Sequence, residues 1–279
     1  MKINIFSVLF ALLLVLFAAT VVVAGINPGT GIKGSIHDLS KNRSGGIYGI
    51  ADPTLDRICI YCHAPHHTIK PSDALAQVSY GSGFGYVPLW NHDLTLVNSF
   101  TLYSNSADNE KPGDISKQLN ENATAVGSVS KLCLSCHDGT IAVASFGNAG
   151  GIGLNYAYSG SRNTGSVFIQ DVNKKNWIGA GAKGGTSADL SNHHPIGFDY
   201  YAVAAVDTQI ADPSTAMGAT GYSIQNLLWN AKYDSGGNQS GGTMECSTCH
   251  SVHNKGNLGE KFLWVSDQQS SLCLTCHMK

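Results

Sequence analysis

Charge is scarce in this 279-residue chain: 17 Lys and Arg and 19 Asp and Glu make up 13 % of it, against roughly a quarter in an ordinary globular protein. Such a composition disfavours long salt-bridged helices. With a formal net charge of -2 there is also no basic footprint for nucleic acid. Long apolar runs are lacking too, apart from one near the N-terminus, so nothing after it approaches the roughly 20 apolar residues that cross a bilayer. Methionine is rare, at 4 residues including the first. No period of the solenoid kind recurs, which excludes a stacked-repeat architecture.

The one apolar run defines the expected processing. Residues 1–24 carry Lys2 as their only charge, an apolar stretch from Val8 broken only by Thr20, and small residues at Ala24 and Gly25. This is the pattern of a cleaved export signal, slightly short for a membrane span. No cysteine stands at the cleavage point, which disfavours a lipid anchor. The expected mature protein is a single domain, 25–279, exported and without a transmembrane segment.

Glycine, histidine and cysteine are plentiful, at 32, 11 and 8 residues. Glycine together with abundant Ser, Thr and Asn favours turns. The expected fold class is mostly irregular and loop-rich, with short helices and a few short strands. A short helix is expected to lead into Lys131, a hairpin to join 156–158 to 167–169, a helix to span 223–231, and 234–242 to form a glycine-rich loop. Residues 25–56 read as extended chain that could wrap a neighbour.

All eight cysteines fall in four identical patterns. They are Cys59-Ile60-Tyr61-Cys62-His63, Cys133-Leu134-Ser135-Cys136-His137, Cys246-Ser247-Thr248-Cys249-His250 and Cys273-Leu274-Thr275-Cys276-His277. Disulfides or zinc would explain paired cysteines in an exported chain. Neither explains a histidine directly after the second cysteine four times out of four. Covalent haem attachment does: two thiols one turn apart form thioethers with the vinyl groups, and the adjacent imidazole reaches the iron. The cofactors expected are four haem c groups on Cys59, Cys62, Cys133, Cys136, Cys246, Cys249, Cys273 and Cys276. The proximal iron ligands are then His63, His137, His250 and His277.

The sixth iron position decides the chemistry, because an open site binds substrate whereas a second strong ligand leaves electron transfer. Seven histidines remain for four positions: His37, His66, His67, His92, His193, His194 and His253. Met244 and Met278 lie too close to proximal ligands to serve. His66 and His253 each follow a proximal histidine by three residues, which keeps them on the same side of their own haem, so each is expected to ligate another. For His253 that other haem is expected to be the fourth. His194, ahead of Pro195 and in an apolar setting, is the third candidate, with His193 as its surface neighbour. The fourth position stays open between His37 and His92. This supply points to low-spin relay haems rather than to an enzyme.

The series His37-Asp38-Leu39-Ser40, Cys59 to His66, Leu89-Trp90-Asn91-His92, Cys133 to Thr140, His194-Pro195-Ile196-Gly197, Cys246 to His253 and Leu272 to His277 resembles the multihaem cytochromes with doubled CxxCH motifs. Within that group, four haems on an exported chain of this size look like the extracellular tetrahaem cytochromes that polymerise into conductive filaments. The 138–245 stretch matches only at its histidine pair. The resemblance implies a haem-organised fold and a homopolymer with head-to-tail haem contacts. It also implies a histidine donated from one protomer to the next, His37 or His66, and redox proteins or extracellular acceptors as partners. An extracellular or cell-surface location follows. The alternatives are a monomeric periplasmic or surface carrier and, from a different class, a multihaem reductase.

Overall fold

The computed structural model describes residues 29–39, 58–66, 89–92, 94–95, 97, 100–103, 128–138, 178, 189–255 and 262–278. The export signal expected over 1–24, the hairpin expected over 156–169 and the candidate His67 lie outside them. Among the described residues the chain is loop-rich with short helices and strands, and no helix is long and apolar enough to cross a membrane.

Two small sheets carry the regular strand. In the first, β1 (Thr101–Leu102) pairs in parallel with β2 (Asp189–Leu190). The second is antiparallel, in the order β3-β5-β4, from β3 (Phe198–Asp199), β4 (Trp229–Tyr233) and β5 (Gln239–Met244). Phe198 pairs with Met244, and Trp229 with Thr243. Gly242 is required here, because a Cβ on it would stand 2.8 Å from Leu228 Cβ.

The hairpin between β4 and β5 corrects the expectation of a glycine-rich loop over 234–242. Asp234 Oδ1 accepts the N–H groups of Gly236 and Asn238 at 2.8 and 2.9 Å, and Gly237 takes a φ of 79°, which a residue without Cβ adopts at no steric cost. An aspartate side chain thus closes the turn, and β5 begins at Gln239.

The longest described helix, α1 (Ser128–His137), contains the second cysteine motif. It buries Ser130, Leu132, Leu134 and Ser135. Ser135 Oγ bonds back to Lys131 O at 2.7 Å and accepts Thr95 N–H at 3.0 Å, while Thr95 Oγ1–H donates to the buried carboxylate of Asp138. α2 (Tyr200–Ala204) follows β3 without a loop because Asp199 caps it, accepting the N–H groups of Tyr201 and Ala202.

The helix expected over 223–231 is α3 (Ile224–Leu227) alone. Leu228 turns extended, with ψ at 142°, and Trp229 joins the sheet, so cross-strand pairing overrides the helical spacing of the apolar residues. Around these elements packs the main apolar cluster, which includes Phe198, Tyr200, Val203, Met217, Ile224 and Met244. Ile224 is fully buried. Replacing it with Ala is expected to cost about 2–5 kcal/mol, seen as a lower thermal midpoint with the haem-bound spectrum unchanged below it.

Candidate haem-binding sites

Each cysteine motif sits on a tight helical turn that sets its two sulfurs and its histidine. The first is a 3-10 turn over Cys59–Tyr61, and His63 N–H closes on Cys59 O at 2.8 Å. The second ends α1. The third is α4 (Cys246–Cys249) and the fourth is α5 (Ser271–Cys276), and in both the histidine N–H bonds to the carbonyl of the first cysteine. After His63, His250 and His277 the chain becomes extended and forms isolated bridges, His63 with Trp90, His250 with Leu263 and Ile210 with His277. These bridges fix the direction of each imidazole. All eight cysteines are unpaired.

The motifs are neighbours in chain order. Burial holds the Cys136 thiol well above its usual range, with Cys62 of the first motif adding to the effect. Cys133 is raised by its hydrogen bond to Cys246 of the third motif and then by burial, and that same bond lowers Cys246. Cys249 is raised to about 12 by burial, then by Cys276 of the fourth motif. Each link joins consecutive motifs, so the attachment points run one, two, three, four through the protein.

The histidines supply the sharper test. Two imidazoles bound on opposite sides of one metal, with metal–nitrogen bonds of about 2 Å and each ring centre about 1.1 Å behind its nitrogen, have centres about 6.3 Å apart. His63 and His253 have ring centres 6.2 Å apart, His37 and His137 6.2 Å, and His194 and His277 6.4 Å. Each pair joins a motif histidine to a histidine outside that motif, at the ring-centre separation that two imidazoles on one iron would have.

The surroundings suit ligands too. Burial, followed by His137, lowers the pKa of His37 to about 4, so its ring is neutral at neutral pH, the state a metal requires. His253 is lowered in the same way by burial and by His63. His250 Nδ1 lies 3.2 Å from Phe262 O, and His194 Nδ1 lies 2.9 Å from Pro195 O. Such Nδ1–H contacts orient an imidazole and leave Nε2 for the metal.

The geometry differs from several expectations. His253 faces His63 of the first motif rather than His277 of the fourth. The reason is local: Asn254 takes a φ of 54°, and Ser251, Asn254 and Phe262 knit a tight turn that carries His253 away from α5. His37, expected as a possible donor to a neighbouring protomer, packs here against residues of its own chain. Gly31 N–H donates to Asn254 O at 3.2 Å, Asn254 Nδ2 donates to Gly31 O at 3.0 Å, and the His37 ring packs tilted against Phe262 with ring centres 4.5 Å apart. This segment wraps the third motif of the same molecule.

Of the two histidines contested for the fourth position, His37 faces a motif histidine. His92 is buried, with Nε2 3.4 Å from Cys136 Sγ and its ring 6.3 Å from Trp90. His66 is exposed, and among the described residues no histidine ring faces His250 at ligand separation.

The structure reverses the expectation for the histidine doublet: His194 is exposed, whereas His193, expected as its surface neighbour, has its Nε2 buried without a hydrogen-bond partner. Trp90 Nε1, which sequence reasoning did not single out, is buried in the same way, as expected where a polar group outside the polypeptide completes the site. The doublet His193-His194 was the available signal for the first of these atoms, and Trp90 between His63 and His92 for the second.

No curated protein and no solved structure matches the chain. Residues 239–279, which hold the third and fourth motifs, match the family described as the doubled CXXCH motif. That match covers two of the four cysteine motifs, and the CXXCH pattern it describes indicates covalently bound haem c at them.

Proposed function

We propose that the protein is an exported electron-transfer cytochrome with four covalently bound haems, one per motif, and that it assembles head to tail into an extracellular conductive filament. The observation that carries the electron-transfer reading is the set of three imidazole pairs at 6.2–6.4 Å. An iron between two imidazoles has no open position for substrate, which favours a carrier over a reductase.

Haem supplies a ferric–ferrous couple that accepts and releases one electron. The polypeptide supplies everything else. Cys59 and Cys62, Cys133 and Cys136, Cys246 and Cys249, and Cys273 and Cys276 would hold the four groups. His63 with His253, His137 with His37, and His277 with His194 would ligate three of the irons. Chain-order contact between the motifs supports an unbroken series.

His250 would take its second imidazole from a neighbouring protomer. Since His37 packs within its own chain, exposed His66 is the donor. A head-to-tail contact of this kind propagates without closing, as a fibre requires. The test is His66→Ala. Negative-stain microscopy is expected to show loss of filaments, while intact mass still reports four haems. Unchanged filaments would refute donation by His66, and a wild-type protein that stays monomeric at every concentration would support a diffusing carrier instead.

A further inference from the structure

Glu245 is an unusual helix cap, since Ser, Thr, Asp and Asn dominate that position, and it is only 1 % exposed. Its N–H donates to Thr248 Oγ1 at 3.0 Å and its carboxylate accepts the Thr248 N–H, which starts the turn of the third motif. The same carboxylate reaches across to α1. Ser130 Oγ–H donates to Glu245 Oε2, and Ser130 Oγ accepts Cys246 N–H at 3.0 Å. Ser130 is fully buried, and one turn beyond it Cys133 lies beside Cys246.

These contacts close a clasp between the helix of the second motif and the helix of the third, across 115 residues of sequence. The donors around the acid favour its ionised form: the Thr248 N–H and the Ser130 O–H both donate to the Glu245 carboxylate. A buried carboxylate is costly and persists only where hydrogen bonds hold it. Here it stands one residue from a haem-bearing sulfur.

We infer that Ser130 and Glu245 are positioning residues that hold a fixed negative charge between the second and third haems, and that this charge lowers the potential in the middle of the series. The inference rests on the four-haem reading. Negative charge favours the ferric state, and low dielectric enlarges the effect. The Ser130 hydroxyl offsets part of that charge, so the two residues act in opposite directions.

The experiment is a spectroelectrochemical titration of the holoprotein and its variants, with intact mass and the low-spin spectrum as controls. Glu245→Gln keeps an oxygen acceptor and removes the charge, so the potentials of the middle haems are expected to rise while the others stay. Glu245→Asp keeps the charge and should stay close to the unmodified protein. Ser130→Ala removes one donor while the Thr248 N–H still holds the carboxylate, so at alkaline pH, where the acid stays ionised, the same potentials should fall. A purely structural cap predicts no such opposition. Unchanged potentials, or shifts of the same sign in Glu245→Gln and Ser130→Ala at that pH, would overturn the inference. Should Glu245→Gln fail to fold, a rise or no change in Ser130→Ala at that pH is enough to overturn it. Fewer than four haems, or high-spin iron in the unmodified protein, would instead overturn the underlying reading.

Discussion

A chain with Ala at all eight cysteines is expected to be recovered unfolded, with no cooperative thermal transition and rapid, nearly complete digestion by a nonspecific protease. The described residues bury 17 apolar side chains and 14 polar or charged ones. Such a mixture makes a weak core. The apolar residues divide into the cluster around Phe198 and Ile224 and a small one at Leu134 and Leu190. Between them the motifs are tied to the rest of the chain by isolated bridges and single hydrogen bonds. Burying haem macrocycles, each tethered by two thioethers, would replace much of the missing core. The segment around β3, β4 and β5 is where any residual protection should remain. A compact, protease-resistant haem-free chain would contradict this.

The second large effect is expected in His253→Ala. All four haems should remain attached, since the eight sulfurs are untouched, but the haem of the first motif should lose its second imidazole. One haem in four should become high-spin in the EPR and optical spectra and should bind carbon monoxide in the reduced state. His37→Ala and His194→Ala should each open a different single haem, those of the second and fourth motifs. The pairs share no histidine, so a double variant such as His37→Ala with His253→Ala should open two. A fully low-spin spectrum in any single variant would show that another histidine ligates that iron.

The cysteine motifs were legible in the sequence because their chemistry is local: five consecutive residues carry both thioethers and one ligand. The histidines that the fold brings near motif histidines, His37, His194 and His253, were among the sequence candidates, but their pairing was not legible. His253 has the spacing of a ligand to a foreign haem, but only the turn closed by Asn254 and Phe262 sends it to His63. His37 looked free to leave the chain, and what retains it is a pair of hydrogen bonds between Gly31 and Asn254, more than 200 residues apart in sequence. The glycine-rich stretch after Tyr233 concealed a hairpin because its order comes from one side chain, that of Asp234. The helix over 223–231 failed at Leu228, where a sheet partner outweighs helical periodicity.

Cryo-electron microscopy of the secreted holoprotein tests the central claim most directly, because it reports attachment, axial ligands and assembly together. The account predicts four haems in chain order, with His63 and His253, His137 and His37, and His277 and His194 on opposite sides of three irons, and a filament in which His66 of one protomer meets the haem of His250 in the next. A haem with an open iron, a different pairing of these histidines, or haems too far apart for contact would contradict it.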